Sequence, residues 1–387
     1  MAIDRRNFLQ SSILLSLSPW ALEHSVQAGD GKYQSGAFIS AVRRADGFAL
    51  LILDEAGVVL REIPLEARGH DTTVHLERGI GVMFARRPGD FAVAFALRRS
   101  SPPQLFRTPP DRHFYGHGVF SEDGQLLYAT ENDFENARGM IGIYDATGGF
   151  SRVGEFLSSG IGPHDLQLLP DGETLVVANG GIETHPDAGR AKLNVHDMQP
   201  SLAFINRADG RLLVRHELSR DFRKLSIRHL DVDASGRVWF GGQWEGSLDQ
   251  APQLIGSASR DRPLELLATN AALPARLKGY IGSVALDRSG RLLAASAPRA
   301  GRILYLDTET GTIIGESHLT DGCGVAPRGP AGFAISSGTG EVRAAAPGAD
   351  DVGLAVHSGT AFDNHMISVA INGGTSSAFG EAGETVF

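Results

Sequence analysis

The sequence predicts an all-β fold, a seven-bladed β-propeller forming one domain, and three observations carry that prediction. Helical periodicity is almost absent beyond residue 28, whereas short alternating or β-branched runs bounded by Gly, Asp, Asn and Pro recur throughout. One unit repeats: a histidine or small residue, a short apolar strand, an acidic-Gly turn, then a second strand. Its copies begin at His70, His117, His164, His229, Ile281 and Cys323, at intervals near the about 40–50 residues of a propeller blade.

Taken in order, the chain opens on a leader. Arg5-Arg6-Asn7-Phe8-Leu9 precedes an apolar segment at 13–22 and then Val26-Gln27-Ala28, the succession of charged, apolar and small-residue regions that marks export. The Arg5-Arg6-x-Phe8-Leu9 pattern resembles the twin-arginine signal, with Asp4 where Ser or Thr is usual. The apolar segment falls well short of the roughly 20 residues that span a bilayer. Residues 1–28 are therefore expected to be a signal peptide and 29–387 a periplasmic propeller.

Runs at 38–42, 48–53 and 58–63 read as three strands lacking an inner one, and 364–369 as one strand lacking three partners. Pairing them closes the ring and removes both open sheet edges. The clearest repeats, 117–130 and 164–179, align without a gap through the turn, and 229–241 and 281–296 follow the same plan. Third strands are expected at 141–144, 202–205 and 303–306, each before a Gly turn, with a fourth strand after. An insertion at 180–200 lengthens one interval between the second and third strands of its blade.

Composition narrows the partners. With 45 acidic and 36 basic residues, a net charge of −9 and no Lys/Arg run, nucleic acid and anionic membranes are disfavoured. The 48 glycines accompany ordinary charge and apolar content, which points to tight turns and not to disorder. Cys323 is the sole cysteine, so no intrachain disulfide exists, and it is either a buried small hydrophobe or a ligand. Gly-x-Ser-x-Gly, Gly-x-x-x-x-Gly-Lys and dinucleotide-type Gly patterns do not occur, against serine-hydrolase and nucleotide readings.

Propeller topology converts the repeat into a site. Inner strands all run the same way along the channel, so the residues that start them converge on one rim, and second strands end there too. Five of the 13 histidines hold that starting position: His70, His117, His164, His229 and His365. They are the candidate ligands of a transition metal, iron or copper or equally zinc, since mixed imidazole and carboxylate donors suit these ions better than calcium. Glu131, Asp133, Asn179, Arg228, Arg299 and Cys323 are expected around the same mouth, with His185 and Arg190 from the insertion. The alternative is structural, each histidine hydrogen-bonding between blades.

Gly116-His117-Gly118, Thr130-Glu131-Asn132-Asp133, Gly162-Pro163-His164-Asp165, Ala178-Asn179-Gly180-Gly181-Ile182, Thr184-His185-Pro186, Arg228-His229-Leu230-Asp231, Gly279-Tyr280-Ile281-Gly282-Ser283 and Asp363-Asn364-His365 form a set. Together they resemble a family of exported bacterial β-propeller proteins without an established reaction. Genes of that family often neighbour imelysin-like periplasmic proteins and other iron-uptake components, so the resemblance implies an accessory role in iron acquisition with partners of that type. One blade departs: His70-Asp71 keeps the start, but Arg86-Arg87-Pro88 replaces the polar end of its second strand. Three functional classes stay open, because propellers carry all of them. They are a metal-binding accessory, a metal-dependent oxidoreductase or lactonase-like enzyme, and a protein-binding scaffold.

Overall fold

The computed structural model describes residues 36–97, 101–189 and 191–369. The expected leader and its cleavage site lie outside them. Seven antiparallel sheets form the ring. Six are contiguous four-stranded blades, running from Gly69–His75 to Gln104–Arg107, Arg112–Phe120 to Ser151–Leu157, Pro163–Leu168 to Leu212–Glu217, Leu225–Val232 to Arg262–Leu266, Ser283–Leu286 to Ile313–His318, and Gly322–Arg328 to Val352–Val356. Among the described residues the only α-helix is the single turn Leu273–Arg276.

The remaining blade joins the two ends of the chain, as the sequence predicts. Ala37–Arg44, Gly47–Asp54 and Val59–Leu65 supply three strands, and the C-terminal segment supplies the inner one. That inner strand is interrupted where one continuous run at 364–369 was expected. Ala361–Phe362 and Ile367–Val369 both pair antiparallel with Ala37–Arg44, and four residues, 363–366, loop out opposite Ser40 and Ala41. Ser40 Oγ donates to the His365 carbonyl at 2.6 Å and the Asp363 amide to the Ala41 carbonyl at 2.8 Å, which pins the loop.

The core lies between blades. Second strands such as Thr174–Asn179 are buried along their length, whereas outermost strands such as Ser151–Leu157 alternate exposed and half-buried residues, the pattern of a sheet edge facing water. Seven apolar clusters fill the seven inter-blade interfaces. The closing interface holds Phe38, Leu51 and Phe362 from the composite blade against Ala326, Ala334 and Val342 of its neighbour, so the ring is packed as fully at the seam as elsewhere.

Aspartates that follow the repeat histidines clip one blade to the next. Asp165 accepts the Leu230 amide at 2.8 Å, and Asp231 the Leu286 amide at 2.7 Å. Burial pushes these carboxyls up, Asp165 to about 7 and Asp231 to about 6.

Candidate metal and ligand site in the channel

Five imidazoles form a closed ring of their own at the channel mouth. Centroids are 5.0 Å apart for His70 and His117, 5.0 Å for His117 and His164, 4.8 Å for His164 and His229, 4.8 Å for His229 and His365, and 4.6 Å for His365 and His70. Local irregularities aim several of the side chains that build this mouth. The inner-strand ladder skips between Gly69 and Thr72, Phe114 and Gly118, Pro163 and Asp165, and Ile227 and His229. The skipped residues include His70, His117, His164 and Arg228. A bulge leaves its extra residue unpaired and redirects the side chain, here toward the channel. Gly116, at φ +105°, permits the approach of two blades, because a Cβ there would stand 2.5 Å from the His70 ring.

Carboxylates fix two of the rings. His70 Nδ1 donates to Asp363 at 2.9 Å, and His117 Nδ1 to Asp71 at 3.1 Å, with Asp165 3.4 Å away. Each bond leaves Nε2 with its lone pair free, the arrangement by which a carboxylate sets the tautomer of a metal-ligating histidine. His117 Nε2, His164 Nδ1, both nitrogens of His229 and His365 Nε2 are buried without a hydrogen-bond partner. Ligand nitrogens of His70, His117 and His365, and of His117, His164 and His229, lie within 4.8 Å of one another.

Burial keeps most of these rings neutral. It pulls His70 down to about 4 against the opposing pull of Asp363, and it holds His164, His229 and His365 well below 6.5, assisted by the neighbouring histidines. His117 goes the other way, because Asp165 and Asp71 outweigh its burial. Asp363 stays far below the usual carboxylate range in spite of burial, held by His70, Arg86 and Arg68.

A pH consequence follows for the metal-free protein. Below about 6.5 an unfolded chain protonates its histidines, but folded His229 does not, so this residue makes stability fall as pH drops through that window. A His229→Gln variant should lose less stability than wild type between pH 6.5 and 5, by up to about 2 kcal/mol at about 1.4 kcal/mol per pH unit. Urea midpoints at the two pH values measure it, and parallel losses would show His229 to be solvated.

Above the rings opens a cavity of about 470 Å³, lined by His70, His164 and His229 and by Arg86, Arg87, Lys192, Arg228 and Arg299. Arg228 and Arg299 are therefore where the sequence placed them. Arg86 and Arg87, read from sequence as the loss of a polar strand end, are site residues: Arg86 bonds Asp363 at 2.8 Å, and Arg87 sits 6.0 Å from the Tyr115 ring centre. Asp363 and Tyr115 are further members that the histidine repeat did not single out, and Tyr280 comes from the Gly279–Ser283 motif at the same rim. Lys192, from the insertion, pairs with Glu245.

Other expected residues are not brought to the cavity. Glu131 is buried inside its blade, accepting from Tyr144 at 2.5 Å and from Arg152 at 2.8 Å. Asp133 is taken up by Arg138 at 2.8 Å, by Asn136, and by Arg112 at 3.3 Å. Both sit at a second-strand end as expected, but their side chains point into their own blade. Asn179 spends its amide on the Ser158 carbonyl and hydroxyl. His185 Nδ1 accepts the Asp187 amide, capping a short 3₁₀ turn, with its ring against Phe134. Cys323 is buried in the seam cluster, 3.5 Å from the Phe362 carbonyl, its thiol pushed up by burial; it is a core residue. Arg190 lies outside the described residues.

The fold and the site define a seven-bladed β-propeller whose channel mouth carries a ring of buried histidines beneath basic side chains. Residues 63–369 match the family described as Protein of unknown function (DUF1513), and the chain belongs to it. No curated protein matches the sequence. Among solved structures, hydrazine synthase of Kuenenia stuttgartiensis is similar with a TM-score of 0.59 at 14% identity, over 78% of this chain and 90% of that one. A functionally unknown protein from Desulfotomaculum acetoxidans is similar with a TM-score of 0.55 at 12% identity, over 84% and 99%. Both likenesses concern the fold.

Proposed function

We propose that this propeller binds one transition-metal ion, iron or copper, through the channel histidines, and serves as an exported accessory in metal handling. The supporting observation is the set of buried, unpartnered imidazole nitrogens that converge in two triads sharing His117. A buried polar group without a partner costs about 1–3 kcal/mol, so several in one place are accounted for by a ligand. Inter-blade hydrogen bonding, the structural alternative, is made by His70 to Asp363 and by His117 to Asp71, but not by His229, which bonds to nothing on either side. Nitrogens about 2.0–2.1 Å from a common ion are at most about 4.2 Å apart, which the triads approach. Since His117 Nδ1 is engaged by Asp71, only its Nε2 can ligate, and one ion per chain is expected.

Export rests on the leader at 1–28 and its Arg5-Arg6 pair. No helix among the described residues is long and apolar enough to cross a membrane. An iron-acquisition role beside imelysin-like periplasmic proteins rests on the family resemblance of the motifs. Cell fractionation followed by metal analysis of the natively produced chain tests all three. A processed chain in the periplasmic fraction carrying about one equivalent of iron or copper is the expected result. Retention in the cytoplasm overturns export; a metal-free chain that also takes up none on titration at pH 7.5 overturns the metal reading.

A further inference from the structure

We propose that the basic mouth above the histidines binds a small multivalent oxyanion, a carboxylate or phosphate compound, which also completes the coordination of the metal; this second clause rests on the metal reading above. Five basic side chains line the cavity against a single lining carboxylate, Asp321. Arg86 is committed to Asp363, and Lys192 and Arg228 share Glu245, the latter at 3.7 Å. Arg299 lies over the Tyr280 ring, 4.6 Å from its centre, and pairs with no carboxylate among the described residues. Tyr280 is itself held by Asn364, whose amide donates to its hydroxyl at 2.6 Å.

What calls for a ligand is the convergence of like charges. Arg228 is half-buried, and Arg87 and Arg299 are near enough to oppose its charge. Guanidinium groups gathered around a concave, partly enclosed space repel one another unless an anion lies between them, and they match the planar or tetrahedral oxygens of carboxylate and phosphate bidentately. A volume of about 470 Å³ is in the range of small-molecule sites, roughly 300–1,000 Å³. His70, His164 and His229 line the same cavity as the five basic side chains. An oxyanion held by the arginines can donate one oxygen downward to the metal ion.

Calorimetric titration of the full chain with succinate and with inorganic phosphate tests this, in metal-free and metal-loaded form, with acetate as the monovalent control. We expect one equivalent of succinate or phosphate to bind, more tightly when metal is present and more weakly at high salt. Arg228→Gln/Arg299→Gln should reduce that affinity at least tenfold while leaving metal uptake intact. Arg299→Gln alone, at an exposed position, carries the comparison if the double variant does not fold. Binding of one probe and not the other assigns the chemistry. If metal binds but neither anion does, this inference falls and the metal reading stands. Should no metal bind while the arginine variants still lose the anion, the anion site stands and co-ligation falls.

Discussion

Deleting residues 361–387 is expected to unfold the whole ring in one transition and not to fray its end. The deletion removes Ala361–Phe362 and Ile367–Val369, which are the inner strand of the composite blade. Phe362 and Met366 belong to the apolar cluster at the seam, and Val369 to the cluster on the other side of that blade. Each such buried side chain contributes about 1.5–3 kcal/mol, so their joint loss is comparable with the about 5–15 kcal/mol of a whole domain. The cut also opens sheet edges that the closed ring hides. Thermal unfolding of the purified truncated chain measures the effect, and a midpoint unchanged from full length would show that the C-terminal strands do not close the ring.

The second large effect is on metal. A variant with His117, His164, His229 and His365 all changed to Ala is expected to stay folded and to bind no transition metal. Five of the nitrogens removed have no hydrogen-bond partner, so their loss relieves desolvation in exchange for the space left behind. A ligand at 1,000 times its dissociation constant stabilises the folded state by about 4 kcal/mol. Wild type should therefore melt at a higher temperature with metal than without, and the variant should melt alike in both. In wild type, metal affinity should also fall as pH drops, since Asp165 and Asp71 raise the proton affinity of His117 and metal competes with that proton. Full metal occupancy in the fourfold variant would return the histidines to a purely structural role.

How much could be read from the chain depended on what repeats. Blade count, the borrowed inner strand and the histidine convergence all follow from one unit recurring with a fixed strand direction, so a list of residues became a spatial arrangement. Glu131 and Asp133 show where this stops: the repeat locates a strand end, but the period-two alternation and the partners within the blade decide which way each side chain faces. The bulges at His70, His117, His164 and Arg228 carry no signature beyond an occasional glycine, so the redirection of those side chains emerges only in three dimensions. Arg86 and Arg87 break the pattern, and the repeat alone marks them as its decay. Their role depends on Asp363, which meets Arg86 across 277 residues of chain, and no local pattern reports such a pairing.

Because the loop at 363–366 carries both His365 and the Asp363 that orients His70, assembly of the site has an order in time. These residues follow the other four histidines in the chain, so a growing chain displays those histidines before it holds the group that brings His70 into position and the fifth imidazole that completes their circle. The triad of His70, His117 and His365 is thus complete only when the two termini of the propeller have met, whereas His117, His164 and His229 come from contiguous blades that do not depend on that closure.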